Sequence, residues 1–394
     1  MYTPASSPSR TCRGSDVEAL EPEDARQAAE MIRAAAGRRR LRIQGGGSKD
    51  AYGAPAPTDA QRLSTRRMVG IIDYDPQEFV LTAGAGIRLA DVQALLASQG
   101  QQLAFEPPDL GPLFGAAPAQ STLGGVLAAN LSGPRRILSG AARDHLLGFE
   151  AVSGRGVIFK SGGRVVKNVT GFDLSKLMCG AWGALALLTT VTVRTVATPQ
   201  TSATLRVSGL SDDRVITALG AALRAPLQVS GAAGVSGAAL VRLEGFNSSV
   251  EARARRLREI LQPFGDPETL DGDEMIWPRI GNLQVLESRA AALWRLSLPP
   301  ARGAEAIEAL QAHNAERLFD WGGGLLWVRL AADRSLEIRA VAERLGGHAT
   351  LVQADAPVGS LAFHPPGPAL TALFARVRTA FDPDGVFVNR SVAA

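Results

Sequence analysis

The chain's 394 residues, 46% of them hydrophobic and 20% charged, allow two or three globular domains, because one core rarely grows past roughly 250–300 residues. A formal charge of +4, from 42 basic against 38 acidic side chains, is a thin excess of arginine and does not imply nucleic acid as a partner. Two cysteines, Cys12 and Cys179, exclude a self-contained Fe–S cluster, which takes about four thiolates, and argue against a disulfide framework. The four histidines, His145, His313, His348 and His364, do not pair at metal-ligand spacing, so no metal is expected.

In chain order, residues 1–16 are rich in Ser, Pro and Arg, lack the apolar core of a signal peptide and are expected to be disordered. A helix is predicted from Pro22 to Ala36, then a short strand at Leu41-Arg42-Ile43 that runs into Gln44-Gly45-Gly46-Gly47-Ser48-Lys49. Strands at 68–72 and 79–83 flank a turn at Tyr74-Asp75-Pro76. The second strand leads to Gly84-Ala85-Gly86 and an amphipathic helix through Leu96, with Glu106 about twenty residues on, which imitates a dinucleotide fingerprint. The third glycine of that fingerprint is missing and Leu89 stands near its place, so an NAD site here is a minor alternative. Loops and short helix cover 106–134, strands resume at 147–152, 157–159 and 185–196, and Thr198-Pro199-Gln200 reads as a domain boundary.

The second half alternates strand and helix: 205–207, 212–223, 238–243, 249–261, then 292–298, 303–313, 325–330 and 335–345. The approximate repeat predicts two related halves sharing an antiparallel sheet with helices on one face, followed by a helix at 369–380 that stops at Phe381-Asp382-Pro383-Asp384-Gly385. The longest apolar run, near 181–193, is too short to span a bilayer, and a cytoplasmic protein is the expectation.

The stretch from Gln120 to Gly133 organises the rest. Ser121 and Thr122 precede the pair Gly124-Gly125, a small-residue helical turn follows, and Asn130 and Ser132 return to polar side chains. Glycines let backbone N–H groups approach a phosphate with no Cβ in the way, and hydroxyls add donors. With Gly45-Gly46-Gly47-Ser48 upstream, two such loops suggest a dinucleotide; ordinary tight turns are the alternative for either loop alone.

Taken together, Gln44-Gly45-Gly46-Gly47-Ser48, Ala83-Gly84-Ala85-Gly86, Ser121-Thr122-Leu123-Gly124-Gly125, Asn130-Leu131-Ser132-Gly133 and 166–173 resemble the FAD-linked oxidase family with a PCMH-type, vanillyl-alcohol-oxidase-like FAD domain. Phe381-Asp382-Pro383-Asp384-Gly385-Val386-Phe387 resembles the end of that family's chains. The run Gly133-Pro134-Arg135-Arg136 with Lys167-Asn168 is similar to the small FAD-binding subunits of multi-subunit glycolate oxidases.

The resemblance implies an α+β chain: a disordered terminus at 1–16, a PCMH-type two-subdomain FAD domain at 17–198, an α+β cap at 199–368, and a segment at 369–394 returning to the FAD domain. It implies FAD held by Gly45, Gly46, Gly47, Ser48, Ser121, Thr122, Gly124 and Gly125 around the pyrophosphate, with Asn130 and Ser132 at the ring or ribityl chain and Lys167 and Asn168 nearby. Lys167 would stabilise reduced flavin or pair with Asp173. Neither glycine loop contains His or Cys; His145 and Cys179 are the nearest attachment candidates, so non-covalent FAD is expected.

The implied activity is oxidation of glycolate, a small 2-hydroxy acid, with partners in a larger FAD-binding subunit and an Fe–S subunit and a peripheral membrane contact through the complex. A self-sufficient oxidase of another alcohol or acid, and a non-catalytic FAD-binding scaffold, are the alternatives. The His-rich C-terminal segment of hydroxy-acid-oxidising relatives is missing, His364 standing alone, so no catalytic base is assigned. Arg242, Arg329 and Arg390 are considered as carboxylate clamps.

Overall fold

The computed structural model describes residues 19–53, 59–163, 172–270, 275–288, 292–331, 334–354 and 362–389. Helix α1 (Ala25–Ala35) starts where the Asp24 carboxylate accepts from the Gln27 N–H at 2.8 Å, a side-chain N-cap. Ala25, Ala28, Ala29, Ile32 and Ala35 recur every three or four residues and bury one stripe against Leu41, Leu63 and Phe387. Strand β1 (Leu41–Gln44) pairs in parallel with β2 (Gln61–Ser64).

An antiparallel five-stranded sheet follows, in the order β3 (Ile71–Asp75), β4 (Val80–Gly84), β8 (Ala186–Arg194), β6 (Leu146–Ser153), β7 (Ile158–Gly162). The turn between β3 and β4 lies later than the predicted 74–76. The Asp75 side chain accepts from the N–H groups of Gln77 and Glu78 and moves the reversal to residues 76–79, where Phe79 takes φ 55°. Helix α2 (Leu89–Ser98) packs on this sheet, and β5 (Gln101–Gln102) pairs with β9 (Val196–Ala197). Three short helices, α3 (Leu123–Ala129), α4 (Arg136–Ser139) and α5 (Ala142–His145), lie between α2 and β6, and α6 (Leu174–Met178) precedes β8.

The second half forms one eight-stranded antiparallel sheet built twice from the same unit. The first copy is β10 (Thr201–Val207), α7 (Asp212–Arg224), β11 (Val229–Val235), β12 (Ala238–Gly245), α8 (Asn247–Leu261), β13 (Glu268–Thr269). After α9 (Ile276–Gly281), the second is β14 (Ala292–Ser297), α10 (Gly303–Ala309), β15 (Arg317–Asp320), β16 (Leu325–Leu330), α11 (Ser335–Arg344), β17 (His348–Gln353). The sheet order β13-β10-β12-β11-β15-β16-β14-β17 is one four-strand arrangement and its mirror in sequence, joined where β11 meets β15.

Alternation along the strands separates the two faces of this cap sheet. Trp294, Leu296, Leu326 and Val328 are buried with the helices, whereas Leu293, Leu325, Trp327 and Val352 belong to the core shared with the five-stranded sheet. The chain then runs through α12 (Pro368–Phe381) back to β1, where the N–H of Leu41 donates to the Val386 carbonyl at 2.7 Å and the N–H of Val388 donates to the Leu41 carbonyl at 3.0 Å. The buried Asp382 carboxylate accepts from the N–H groups of Val386 and Phe387 and fixes this return. Among the described residues no helix is long and apolar enough to cross a membrane.

Candidate functional site

Strand β1 delivers the first glycine loop against the chain that leads into α3. A Cβ on Gly46 would stand 1.5 Å from the Gln120 carbonyl oxygen, and one on Gly45 would stand 2.3 Å from Thr122 Oγ1. Gly46 admits glycine alone, because its neighbour is backbone and cannot swing away, while at Gly45 a Cβ would displace the Thr122 hydroxyl. Thr122 Oγ1 accepts from the Gly125 N–H at 3.2 Å and caps α3, while Gly124 presses the helix onto Ala85 so closely that a Cβ would fall 2.7 Å from that residue.

Hydroxyls tie the two loops together. Ser48 Oγ and Ser121 Oγ lie 3.0 Å apart, Ser121 Oγ donates to Asp109 at 3.0 Å, and Lys49 Nζ donates to Ser48 Oγ at 3.0 Å. Burial lowers the Lys49 ammonium to about 8, partly offset by Asp109 and Asp50. Between the loops opens a cleft of about 840 Å³, counting the open solvent at its mouth. The glycine loop and Lys49 form its polar side; Ala128, Trp182, Leu188 and Val388 form its apolar side.

The structure sorts the sequence-derived residues. Gly45, Gly46, Gly47, Ser48, Thr122, Gly124 and Gly125 line this cleft. Ser121 sits behind the loop as the bridge to Asp109. Asn130 and Ser132 lie past the other end of α3, where their side-chain oxygens accept from the N–H groups of Arg143 and Ala142, and both line a second cavity of about 390 Å³. Lys167, Asn168 and Arg390 fall outside the described residues, as do residues 1–16; Asp173, offered as a partner for Lys167, caps α6 and pairs with Lys176 at 3.3 Å. Lys49 was not singled out as a cofactor contact, although it follows Ser48 directly.

His145 and Cys179 line neither cavity. Burial pushes the Cys179 thiol up to about 12, which removes its nucleophilic form at neutral pH, and His145 bonds the Ser139 carbonyl at 2.9 Å. Gly84 and Gly86 serve packing: a Cβ on either would strike the backbone of Met68 or Thr65 at 2.3 or 1.8 Å.

Arg242, considered as a carboxylate clamp, is spent on an internal carboxylate. Its Nη1 and Nη2 donate to Glu106 at 2.8 and 2.9 Å, and Arg135 donates to Glu244 at 3.1 and 2.6 Å beside it. Burial would raise the Glu106 carboxyl, but Arg242 and then Arg135 hold it below the usual carboxylate range. Arg329 is likewise engaged, with Gln353 at 2.9 Å.

The cleft fits a diphosphate-bearing ligand on three counts. Glycine backbone stands where a phosphate needs close approach, a buried cation faces it, and an apolar wall continues toward Trp182 and Leu188. Residues 19–162 match the family described as FAD binding domain. The chain is 35% identical over 351 residues to glycolate oxidase subunit GlcE of Escherichia coli (strain K12), covering 88% of this chain and 91% of that one. It is 31% identical over 161 residues to glycolate oxidase subunit GlcD of Bacillus subtilis (strain 168), covering 41% of this chain and 33% of that one. A solved structure of alkyldihydroxyacetonephosphate synthase superposes with a TM-score of 0.66 over 93% of this chain and 74% of that one, at 14% identity, and so shares the fold.

Proposed function

The chain belongs to the PCMH-type FAD-binding family of FAD-linked oxidoreductases, and on that premise we propose that it is the small FAD-carrying subunit of a complex that oxidises glycolate to glyoxylate. Its cofactor is FAD. When bound, FAD supplies the acceptor for a hydride from the carbon that bears the substrate hydroxyl.

The chain's own residues bind and orient. Gly45 and Gly46 offer the pyrophosphate their backbone N–H groups, Lys49 neutralises part of its charge, Ser121 bonded to Ser48 holds the two loops in register, and Thr122, Gly124 and Gly125 form the wall of the cleft at the start of α3. Holding is non-covalent in this reading, since among the described residues no His or Cys lines the cleft. Asn130 and Ser132 stand at the far end of α3, which this reading gives to the flavin ring or ribityl chain, and Lys167 and Asn168, outside the described residues, belong to the proposed cofactor set by the family resemblance alone. The observation that carries the reading is the cleft itself, two glycine loops closing on a buried lysine, in a chain that aligns with GlcE along 91% of that protein.

With two cysteines in the whole chain, an Fe–S relay has to be a partner's, and a larger flavin subunit and an Fe–S subunit complete the proposed complex. The domain division at 17–198, 199–368 and 369–394 belongs to the same proposal. Anaerobic glycolate added to the purified chain, and then to the chain with both partner subunits, tests it. Bleaching of the flavin band in the reconstituted complex is expected; a complex that reduces with another acid and ignores glycolate overturns the substrate.

A further inference from the structure

Strand β17 closes one side of the cap sheet, and its outer edge presents backbone N–H groups that need acceptors. A strap of residues 362–364 supplies them. The Leu351 N–H donates to the Ala362 carbonyl at 2.8 Å, and the Ala349 N–H donates to Nδ1 of His364 at 3.4 Å. The imidazole thus stands where a further strand would place a carbonyl. Pro365, next in the chain, biases His364 toward the extended backbone that this role needs.

The same strap backs the cofactor cleft. The Phe363 ring stacks 6.4 Å from Tyr52 and meets Trp182 edge-on at 5.5 Å, while Tyr52 and Trp182 lie 4.7 Å apart. Trp182, held at φ 52°, lines the apolar side of the cleft. Tyr52 and Gly53 end the turn that begins at Lys49: the Tyr52 N–H donates to the Lys49 carbonyl at 3.1 Å, and the Gly53 N–H donates to the Val352 carbonyl of β17 at 2.7 Å. A Cβ on Gly53 would fall 2.4 Å from that of Ala362, so turn and strap are in direct contact.

The charges around His364 oppose a proton on it, with one exception. His348, at the start of β17, has its ring centre 6.4 Å away. From α11, Arg339 and Glu343 act on His364, and from β14, Arg295 acts on His348; Glu343 alone of these favours a charged imidazole. Burial first, then Arg295 at His348 and Arg339 at His364, hold both rings below the ordinary histidine value. A proton on Nδ1 would also take away the acceptor and set one N–H against the other, that of Ala349.

We propose that His364 is a pH-operated catch on the cofactor cleft: neutral, it pins the strap to β17 behind Trp182 and Tyr52, and protonated, it frees the strap so that FAD is held less tightly. The sign follows from the direction in which the rings are shifted. A histidine held below its ordinary value gives stability that is present above the unfolded-state value and is lost as pH falls through the folded-state value. By reciprocity, bound FAD keeps His364 neutral. The effect lies on the acid side, opposite to the alkaline loss expected from Lys49, and it does not depend on which acid the protein oxidises.

The test is FAD affinity of the flavin-free chain, by fluorescence titration between about pH 7.5 and about pH 5.5. Parent affinity is expected to fall about tenfold over that range, as uptake of one proton allows. In His364→Asn the side-chain oxygen replaces Nδ1 with an acceptor that does not titrate, so affinity at neutral pH should match the parent and most of the acid loss should vanish. His348→Gln, which removes only the neighbouring charge, should shrink the loss in part. A parent profile that is flat, or a His364→Asn profile that superimposes on a sloping parent, overturns the proposal. Melting curves at neutral pH show whether His364→Asn is folded. If it is not, the proton NMR titration of His364 in the parent decides: its midpoint should be lower with FAD than without, and equal midpoints overturn the proposal.

Discussion

Arg242 of the cap sheet grips Glu106 of the FAD domain through two hydrogen bonds, 2.8 and 2.9 Å long, across 136 residues of sequence. Glu106 also accepts from the Arg135 backbone N–H at 2.7 Å, and the Arg242 guanidinium lies 4.6 Å from the Trp277 ring. One carboxylate thus ties the cap sheet to the loop that carries Glu106 and Arg135.

Removing one partner strands a charge. Glu106→Gln should destabilise the protein by about 3–5 kcal/mol, the range for breaking a buried ion pair from one side. The pH dependence has a definite sign. A carboxyl held below its ordinary value adds stability that is present above the unfolded-state value and is lost as pH falls through the folded-state value. Melting curves from neutral to acid pH should therefore show parent and variant converging on the acid side.

Asp320 gives the opposite slope. Its carboxyl is raised from 3.8 to about 7 by burial, so the folded state favours the protonated form, and stability falls as pH rises between about 4 and 7. Asp320→Asn should flatten that part of the profile. A variant whose melting temperature tracks the parent at every pH in this window would contradict the placement of Asp320.

Gly46→Ala is the sharpest steric test of the cofactor cleft. The added carbon would meet the Gln120 carbonyl at 1.5 Å, so one of the two loops has to move. Purified Gly46→Ala should carry little or no flavin, while Gly37→Ala, whose Cβ would meet no atom within 4 Å but whose φ is 66°, should cost a modest amount of stability and leave flavin content unchanged.

Lys49→Met replaces the buried cation with a neutral side chain of similar length. The expected result is FAD affinity weakened about tenfold or more, measured by fluorescence titration of the flavin-free chain. Parent affinity should also fall as pH rises through about 8, where the flavin-free ammonium deprotonates, and Lys49→Met should lose that dependence.

Sequence patterns reached the architecture because most strands and helices alternate in the order a doubled α+β unit requires, from Leu205 to Leu345. Strands β13, β15 and β17 escaped them, and so did β11. Its residues Ser230, Gly231, Ala232, Ala233 and Gly234 have little intrinsic strand preference, yet the structure needs their smallness: a Cβ on Gly231 would touch the Trp277 ring at 2.6 Å, and one on Gly234 would touch Val215 at 2.5 Å. Packing from distant parts of the chain set that strand.

The same distinction governs the sites. Glycine loops announce themselves locally, so Gly45 to Ser48 and Thr122 to Gly125 were readable. The fate of an arginine is decided by what folds against it. Arg242 looked available until Glu106 met it.

Flavin content of the purified chain tests the central claim most directly. The chain is expected to show a flavin absorbance spectrum at close to one FAD per polypeptide and to release all of it, as intact FAD, into the supernatant after heat or acid precipitation. A colourless protein that takes up no FAD on reconstitution, or a flavin that stays with the precipitate, would contradict the account of the two-loop cleft.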